Sequence, residues 1–195
     1  MPASNFADLI ISKIKSAIGD NSDNYNSNTP NLANKAISEG ITEYLKNNTT
    51  VPITYSGIIP SVPPVPDPVV TDILNIEGSC APISSTGEFN SWILDLSEKI
   101  QSGFFLGSGN LGITSTTPNS VLCFMSGPPL ALTQDELKNL HISNMNSEEP
   151  NRIIWEYICQ KIIIWLNSIP GISFPGINTN SGSQGVGTVV KIIVI

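Results

Sequence analysis

The sequence predicts an α+β fold in which four main helices pack on a mixed or antiparallel sheet and a proline-rich segment forms an extended arm. Three patterns indicate this fold: apolar residues at helical spacing, short stretches of alternating β-branched residues, and five prolines within residues 60–68. A chain of 195 residues is expected to form a single domain, 1–195, with residues 60–68 as a proline-rich strap within it.

Two helices are expected in the N-terminal part of the chain. Apolar residues repeat at helical spacing over residues 6–18, and Gly19 ends the pattern. A second helix is expected from Thr29, a suitable cap, with Pro30 in the first turn, where the missing N–H costs nothing. Small residues on its apolar stripe, such as Gly40, would let another element approach closely.

Extended structure is expected next. Residues 51–55 alternate between apolar and other side chains, which is typical of a strand. Pro52 cannot donate to a ladder, so this strand is expected at an edge or at the start of the pairing. The strap at 60–68 is expected to have polyproline-like backbone, and residues 69–76 to form a further strand.

The middle of the chain combines one clear helix with weaker signals. Ser85 and Glu88 match a capping box, which predicts a helix that ends near Gly103. Residues 104–118 are rich in Gly, Ser and Thr, and residues 107–112 within them are interpreted as a flexible loop. Residues 121–125 have the apolar character of a buried strand.

The C-terminal part is expected to hold the core. Thr133 and Glu136 form another capping box, for a short helix. The helix predicted at 149–168 is apolar on nearly all sides, so it is expected to be the most buried helix. Residues 188–195 are expected to form the last strand, and this segment would be prone to aggregation unless it pairs within the fold or with a neighbouring subunit.

Charge is scarce and negative. Charged residues make up 13% of the chain, the formal net charge is −7, and Asn, Ser and Thr contribute 20, 24 and 13 residues. Nucleic-acid affinity rests mainly on Lys and Arg, so this balance argues against a nucleic-acid partner.

Membrane and export signals are not expected. Residues 153–169 include Glu156 and Lys161 and fall short of the ~20 residues of a membrane span, so they are interpreted as a buried helix. The first eight residues lack the basic and apolar regions of a secretory signal. The three cysteines, Cys80, Cys123 and Cys159, are therefore expected to be reduced, buried small side chains.

Patterns that carry chemistry elsewhere lack their usual context here. Residues 107–112 match G-x-G-x-x-G, but a β-branched run ended by proline follows instead of a helix. Residues 20–26 space oxygen ligands as a calcium loop does, yet the turn glycine and the bidentate Glu are missing. His141 is the only histidine and has no nucleophile motif near it. No catalytic, cofactor or metal site is predicted.

The three tryptophans have two interpretations. Trp92, Trp155 and Trp165 are candidate platforms for stacking sugars, but Trp92 and Trp165 lie on strongly apolar helical stripes, which favours core packing. Trp155 is the one candidate for an exposed or interface aromatic side chain.

A charge-poor chain, the proline-rich segment at 55–68 after an Ala- and Gly-bearing helix, and an apolar C-terminal strand together resemble the small virion structural proteins of tailed bacteriophages. The resemblance implies a non-enzymatic structural subunit of a virus particle, in the tail, neck or capsid. It would be made in the host cytoplasm and would bind copies of itself and other virion proteins. The alternative is a surface or secreted binding module for a glycan or protein ligand. A hydrolase that uses His141 is a third hypothesis.

Two segments are the candidate assembly contacts. The prolines have already lost backbone freedom, so docking them costs less than ordering an ordinary loop, while the C-terminal residues can all donate to a ladder. The alternative is that both segments stay within the subunit. The candidate residues are Pro60, Pro63, Pro64, Pro66, Pro68, Val189, Val190, Ile192, Ile193, Val194 and Ile195.

Overall fold

A computed structural model describes residues 2–19, 27–85, 88–117, 127–144 and 149–195. These residues form five helices and eight strands. The helices are α1 (Pro2–Ile18), α2 (Thr29–Asn48), α3 (Phe89–Gly103), α4 (Gln134–Ser143) and α5 (Pro150–Ser168). The strands are β1 (Thr49–Ile59), β2 (Val65–Pro66), β3 (Val70–Gly78), β4 (Phe104–Gly109), β5 (Ile113–Ser115), β6 (Ser173–Asn178), β7 (Gln184–Val189) and β8 (Ile193–Val194).

The α+β class is confirmed, and every strand pair in the described part of the chain is antiparallel. The predicted number of four main helices is not confirmed, because the short segment after Thr133 forms a helix of 10 residues, α4. The predicted buried strand at 121–125 and the calcium-like loop at 20–26 lie outside the described residues.

The chain divides into two compact units, and each is discontinuous in sequence. The helical unit comprises Met1–Tyr44, Ser79–Gly103 and Pro128–Trp165, and the sheet unit comprises Leu45–Gly78, Phe104–Gly127 and Leu166–Ile195. The single-domain expectation stays a prediction.

In the helical unit, α1 packs closely on α2. Phe6 stacks on Tyr44 with ring centroids 4.1 Å apart and planes 5° from parallel. Both rings are buried, and Tyr44 Oη donates to the carbonyl of Pro2. A Cβ at Gly40 would lie 3.1 Å from Ile10 Cγ1, so the small residue permits the close approach that the sequence predicted.

The prediction that the last helix is the most buried is wrong. Helix α5 buries one stripe, which includes Cys159, Ile162 and Leu166, whereas its Ile164 is 57% exposed. Helix α2 buries more of its length. Apolar content on several faces of α5 therefore does not translate into burial on all of them.

The two predicted capping boxes have different outcomes. At α4, Glu136 N–H donates to Thr133 Oγ1 and Thr133 N–H donates to Glu136 Oε2, as predicted. At α3 the prediction is wrong, because the helix begins at Phe89. The N–H of Ser85 donates instead to Asp95 Oδ2, at 2.9 Å.

The sheet unit is one antiparallel sheet in the order β4-β3-β1-β7-β6-β5, and both β2 and β8 pair with β1. The two outermost strands, β4 and β5, are joined by a short turn in which Gly112 has φ +78°, so the sheet is nearly closed. Its inner face is apolar and fully buried at Ile53, Tyr55 and Leu74. Tyr55 Oη donates to the carbonyl of Ser183 across this interior, at 3.0 Å.

Three strand predictions are corrected. Residues 107–112, interpreted from the sequence as a flexible loop, lie instead on the end of β4 and on the turn that follows it. Strand β1 is central rather than an edge strand. Pro52 is tolerated there because it lies opposite the break between β7 and β8, where its carbonyl accepts from Val190 N–H. That break also divides the predicted strand at 188–195.

Candidate functional site

The strap folds back on the sheet. Strand β2 pairs with the end of β1, with Ile58 opposite Pro66 and Ile59 opposite Val65. The predicted proline-rich extended arm is therefore not confirmed. All five candidate prolines are nevertheless exposed: Pro60, Pro63, Pro64, Pro66 and Pro68.

Asp67 anchors the strap to the turn between β6 and β7. Its Oδ2 accepts from Ser183 Oγ at 2.5 Å, from Ser181 Oγ at 2.8 Å and from Asn178 Nδ2 at 3.3 Å. These hydrogen bonds, that from Ser183 above all, lower the pKa of Asp67. The N–H of Asp67 also donates to the carbonyl of Gly57. Because one carboxylate joins the strap to a second turn, the strap is held in a defined position.

Apolar side chains are exposed along the strap and the strand end that it covers. Val62 is fully exposed, and Ile58, Val65 and Val69 are 56%, 48% and 68% exposed. An anchored backbone with outward apolar side chains is a preorganised contact surface, because little freedom remains to be lost on docking.

The C-terminal candidates fall into two groups. Val189, Ile192 and Val194 are buried, whereas Val190 and Ile195 are 58% and 62% exposed. Ile193 is half-buried and lies opposite Thr50 of β1 in the register.

The backbone of this segment pairs within the chain. Val189 lies opposite Ile53 of β1, and Val194 lies opposite Thr49. The N–H of Val194 donates to Asn167 Oδ1 at 2.9 Å. This contact occupies a donor on β8 that a neighbouring strand would otherwise use.

Charge is distributed unevenly between the two units. Of the 25 Asp, Glu, Lys and Arg residues in the chain, only five fall within the sheet-unit ranges. They are Lys46, Asp67, Asp72, Glu77 and Lys191. Asp72 is buried, and its Oδ2 accepts from Leu111 N–H in the turn between β4 and β5. The sheet unit therefore presents very little charge to its surroundings.

The outer face of the sheet is defined by the register of β3, β1, β7 and β6. Residues opposite one another in antiparallel strands point to the same side, and alternate residues point outward. We name the outward residues, over the lengths where these four strands pair with one another, the outer face; this paired part carries no charged side chain, and Glu77, exposed two residues beyond Asn75 on β3, lies at its margin. The outer face consists of Thr71, Ile73 and Asn75; Thr50, Pro52, Thr54, Ser56 and Ile58; Gln184, Val186 and Thr188; and Ser173, Pro175 and Ile177.

A row of hydroxyl side chains crosses the outer face. Thr71 lies opposite Thr54, Thr54 opposite Thr188, and Thr188 opposite Ser173. The hydroxyls of Ser173 and Thr188 lie 3.1 Å apart, in hydrogen-bond contact. At about 4.8 Å between strands, the row extends for about 14 Å. Exposed aliphatic side chains flank it at Ile73 and Val186.

The residues considered for catalysis are not brought together. His141 is exposed on α4, and no group of three His, Cys, Asp or Glu residues in the described part of the chain could hold a metal ion. Burial raises the pKa of Cys80 to about 11 and also raises that of Cys159, so both thiols stay protonated at neutral pH. Both are free and buried, as predicted. Cys123 lies outside the described residues.

The tryptophans differ in their surroundings. Trp165 is buried and its Nε1–H donates to the carbonyl of Pro128. Trp92 is half-buried beside Phe89, at 6.4 Å between ring centroids, and both line a depression of about 380 Å³. Trp155 is half-buried at a groove with Ile11, Ile14 and Ile18 among its lining residues.

Comparison of the chain with family models, with curated proteins and with solved structures finds no match. Within the described residues, no helix is both long enough and apolar enough to cross a membrane.

The outer face is the feature that reasoning from the sequence missed. Strands β1 and β3 are predicted from the sequence, whereas the Pro and Gly content of residues 170–187 predicts a loop where β6 and most of β7 form. The side to which each residue points depends in addition on the register. One signal was available: residues 47–66, 104–134 and 166–190 contain no Asp, Glu, Lys or Arg. Most of these charge-free stretches supply the sheet unit.

Proposed function

We propose that this protein is a non-enzymatic structural subunit of a virus particle, in the tail, neck or capsid of a tailed phage. In this role it binds copies of itself and other virion proteins, resides in the virion after synthesis in the host cytoplasm, and uses neither nucleic acid nor a membrane as a partner.

The observation that carries the proposal is the near-neutral, exposed surface of the sheet unit. Proteins that stay apart in solution usually carry charged residues over about 25–35% of their surface. The whole sheet unit contains five charged residues, and one of them, Asp72, is buried and adds no charge to the surface. Exposed aliphatic side chains such as those of Ile58 and Val186 lie on strands whose backbones are already paired within the sheet. A surface of this composition suits permanent contact with neighbouring subunits.

The candidate contacts contribute to assembly in two ways. The exposed prolines of the strap offer rigid apolar surface to a neighbour, since Asp67 has already fixed their backbone. At the C-terminus only the exposed side chains, Val190 and Ile195, are offered to a neighbour, while Val189, Ile192 and Val194 support the subunit itself.

A binding module is the second candidate function. The depression beside Phe89 and Trp92 favours it, because a half-exposed aromatic pair is a common platform for sugars. Asn34 is a poor ligand group there, since its Oδ1 already accepts from Trp92 Nε1–H and its Nδ2 donates to the carbonyl of Ser85. The aromatic pair alone therefore supports this function.

Mass spectrometry of particles tests the proposal. Particles are purified on a density gradient from the lysate of the virus or prophage that encodes the chain. Peptides of the chain are expected to co-purify with the major virion proteins at a constant ratio across the particle peak. Recovery of the chain only from the particle-free fractions would overturn the proposal. Glycan binding that Trp92→Ala abolishes would then support the binding module.

A further inference from the structure

We infer that the outer face of the sheet is a homotypic contact, on which a second copy of this chain docks through the same face. The inference rests on the proposed function, because it names the partner that such an assembling subunit binds through this face.

Charge indicates where two copies can meet. Each copy has a formal net charge of −7, so surfaces rich in carboxylates repel one another when two copies approach. The helical-unit ranges hold 13 acidic and seven basic residues. The mutually paired residues of the outer face include none of either kind, and the exposed carboxylate of Glu77 lies beyond them, six residues along β3 from Thr71. A contact centred on the hydroxyl row therefore keeps the carboxylates of both copies, Glu77 included, away from its centre.

The hydroxyl row indicates that the partner is an identical face. A two-fold contact must be self-complementary, since each patch meets its own copy. A carboxylate or an ammonium cannot pair with itself, but a hydroxyl both donates and accepts. Thr71, Thr54, Thr188 and Ser173 form a row that an identical row can hydrogen-bond in either direction.

Apolar side chains on both sides of the row supply the burial. Ile73 lies opposite Pro52 on one side of the row, and Val186 lies opposite Ser56 and Pro175 on the other. Ile73 and Val186 are 45% and 48% exposed, so about half of each side chain remains to be buried. The face thus combines an apolar surface with central polar groups that can be satisfied across the contact.

The strands present this face as a firm platform. Strand β1 is paired along its length, with β3 and β2 on one side and with β7 and β8 on the other. The backbone of β7 is likewise paired on both sides, with β1 and β6. Docking therefore orders few additional groups.

Sedimentation equilibrium of the full chain tests the inference. We expect reversible self-association of the unaltered chain. Thr188→Lys and Thr71→Lys place a cation in the contact on both copies, so each is expected to raise the dissociation constant by roughly tenfold or more. Both sites are exposed, so circular dichroism and thermal unfolding are expected to report a folded chain.

Ser16→Lys is the matched control. Ser16 is an exposed hydroxyl residue on α1, and the substitution changes the net charge by the same amount. This variant is expected to associate as the unaltered chain does. An unaltered chain that stays monomeric, or three variants that all associate alike, would overturn the inference.

The outcome is separable from that of the proposed function. A monomeric chain that is found in purified particles overturns the homotypic contact alone. A chain that associates through this face but is excluded from particles overturns the virion proposal alone.

Discussion

Single carboxylates hold two segments of this molecule in place, the strap and helix α4. Asp67 gathers three side-chain donors from the turn between β6 and β7, and thereby holds a segment that has few backbone donors of its own. Glu136 Oε1 accepts hydrogen bonds from Lys161 Nζ at 2.8 Å and from Tyr157 Oη at 3.1 Å. The same side chain completes the capping box of α4. In each case one carboxylate joins two segments that are distant in sequence.

Asp67→Ala is expected to release the strap. The substitution removes the acceptor through which Ser181 and Ser183 hold the strap, so cleavage of the segment at 60–68 in limited proteolysis should accelerate. Asp135→Ala, which removes a highly exposed carboxylate from α4, is the control and should leave the cleavage rate unchanged. Equal rates in the two variants would show that Asp67 does not anchor the strap.

Glu136 is expected to titrate far below its ordinary range. The hydrogen bond from Lys161, followed by that from the N–H of Thr133, lowers the pKa of Glu136 to about 2. Its folded-state pKa lies below the unfolded value of about 4.3. Its stabilising contribution is therefore complete above the unfolded value and is lost as the pH falls through the folded value. Carboxyl NMR titration should show this midpoint, and Lys161→Met should raise it; a midpoint near 4 in the unaltered chain would contradict the assigned contacts.

At the scale of elements, the sequence predicts what local patterns determine. The apolar spacing of α1 and α2, the cap of α4, and the alternation in β1 and β3 each depend on neighbours in sequence, and the structure contains all of them. The central position of β1 depends on partners more than 120 residues away, such as Val189. This central position could not be predicted from Pro52. A proline without an N–H fits a central strand only where the neighbouring strand is interrupted, and here that point is the end of β7.

The C-terminal segment offers a matched pair of isoleucines. Ile192 is 1% exposed and Ile195 is 62% exposed. Ile192→Ala is expected to lower the free energy of unfolding by about 2–5 kcal/mol, because it removes buried methyl groups. Ile195→Ala is expected to change it by no more than about 0.5 kcal/mol. Urea unfolding measures both, and an equal effect at the two sites would contradict the burial of this segment.

The pairing of β1 with β7 requires a glycine. A Cβ at Gly185 would lie 1.9 Å from the carbonyl oxygen of Ser56, which belongs to the backbone and cannot turn aside. Gly185→Ala is therefore expected to destabilise the fold by about 1–3 kcal/mol. At Gly127 the nearest contact of a Cβ would be an ordinary 3.6 Å, so Gly127→Ala is the control. Thermal unfolding at the same temperature for both variants would contradict the close approach of these strands.

At the scale of the whole molecule, the two units differ in their content of charged residues, and each unit is built from segments that alternate along the chain. The chain crosses between the units several times, so the separation is visible in sequence only as charge-free stretches such as 166–190. The prediction of assembly followed from the low charge of the chain as a whole. The outer face could not be predicted, because it is assembled from four strands whose register is set by tertiary pairing.

The salt dependence of self-association tests most directly whether copies meet through a neutral surface. Sedimentation equilibrium of the unaltered chain in low and high NaCl measures it. Salt screens the repulsion between two chains that each carry −7, and a neutral contact has no ion pair to lose. The association constant is therefore expected to stay constant or to rise with salt. A steep fall in the association constant with increasing salt would show that ion pairs hold the copies together, and would contradict a charge-free contact.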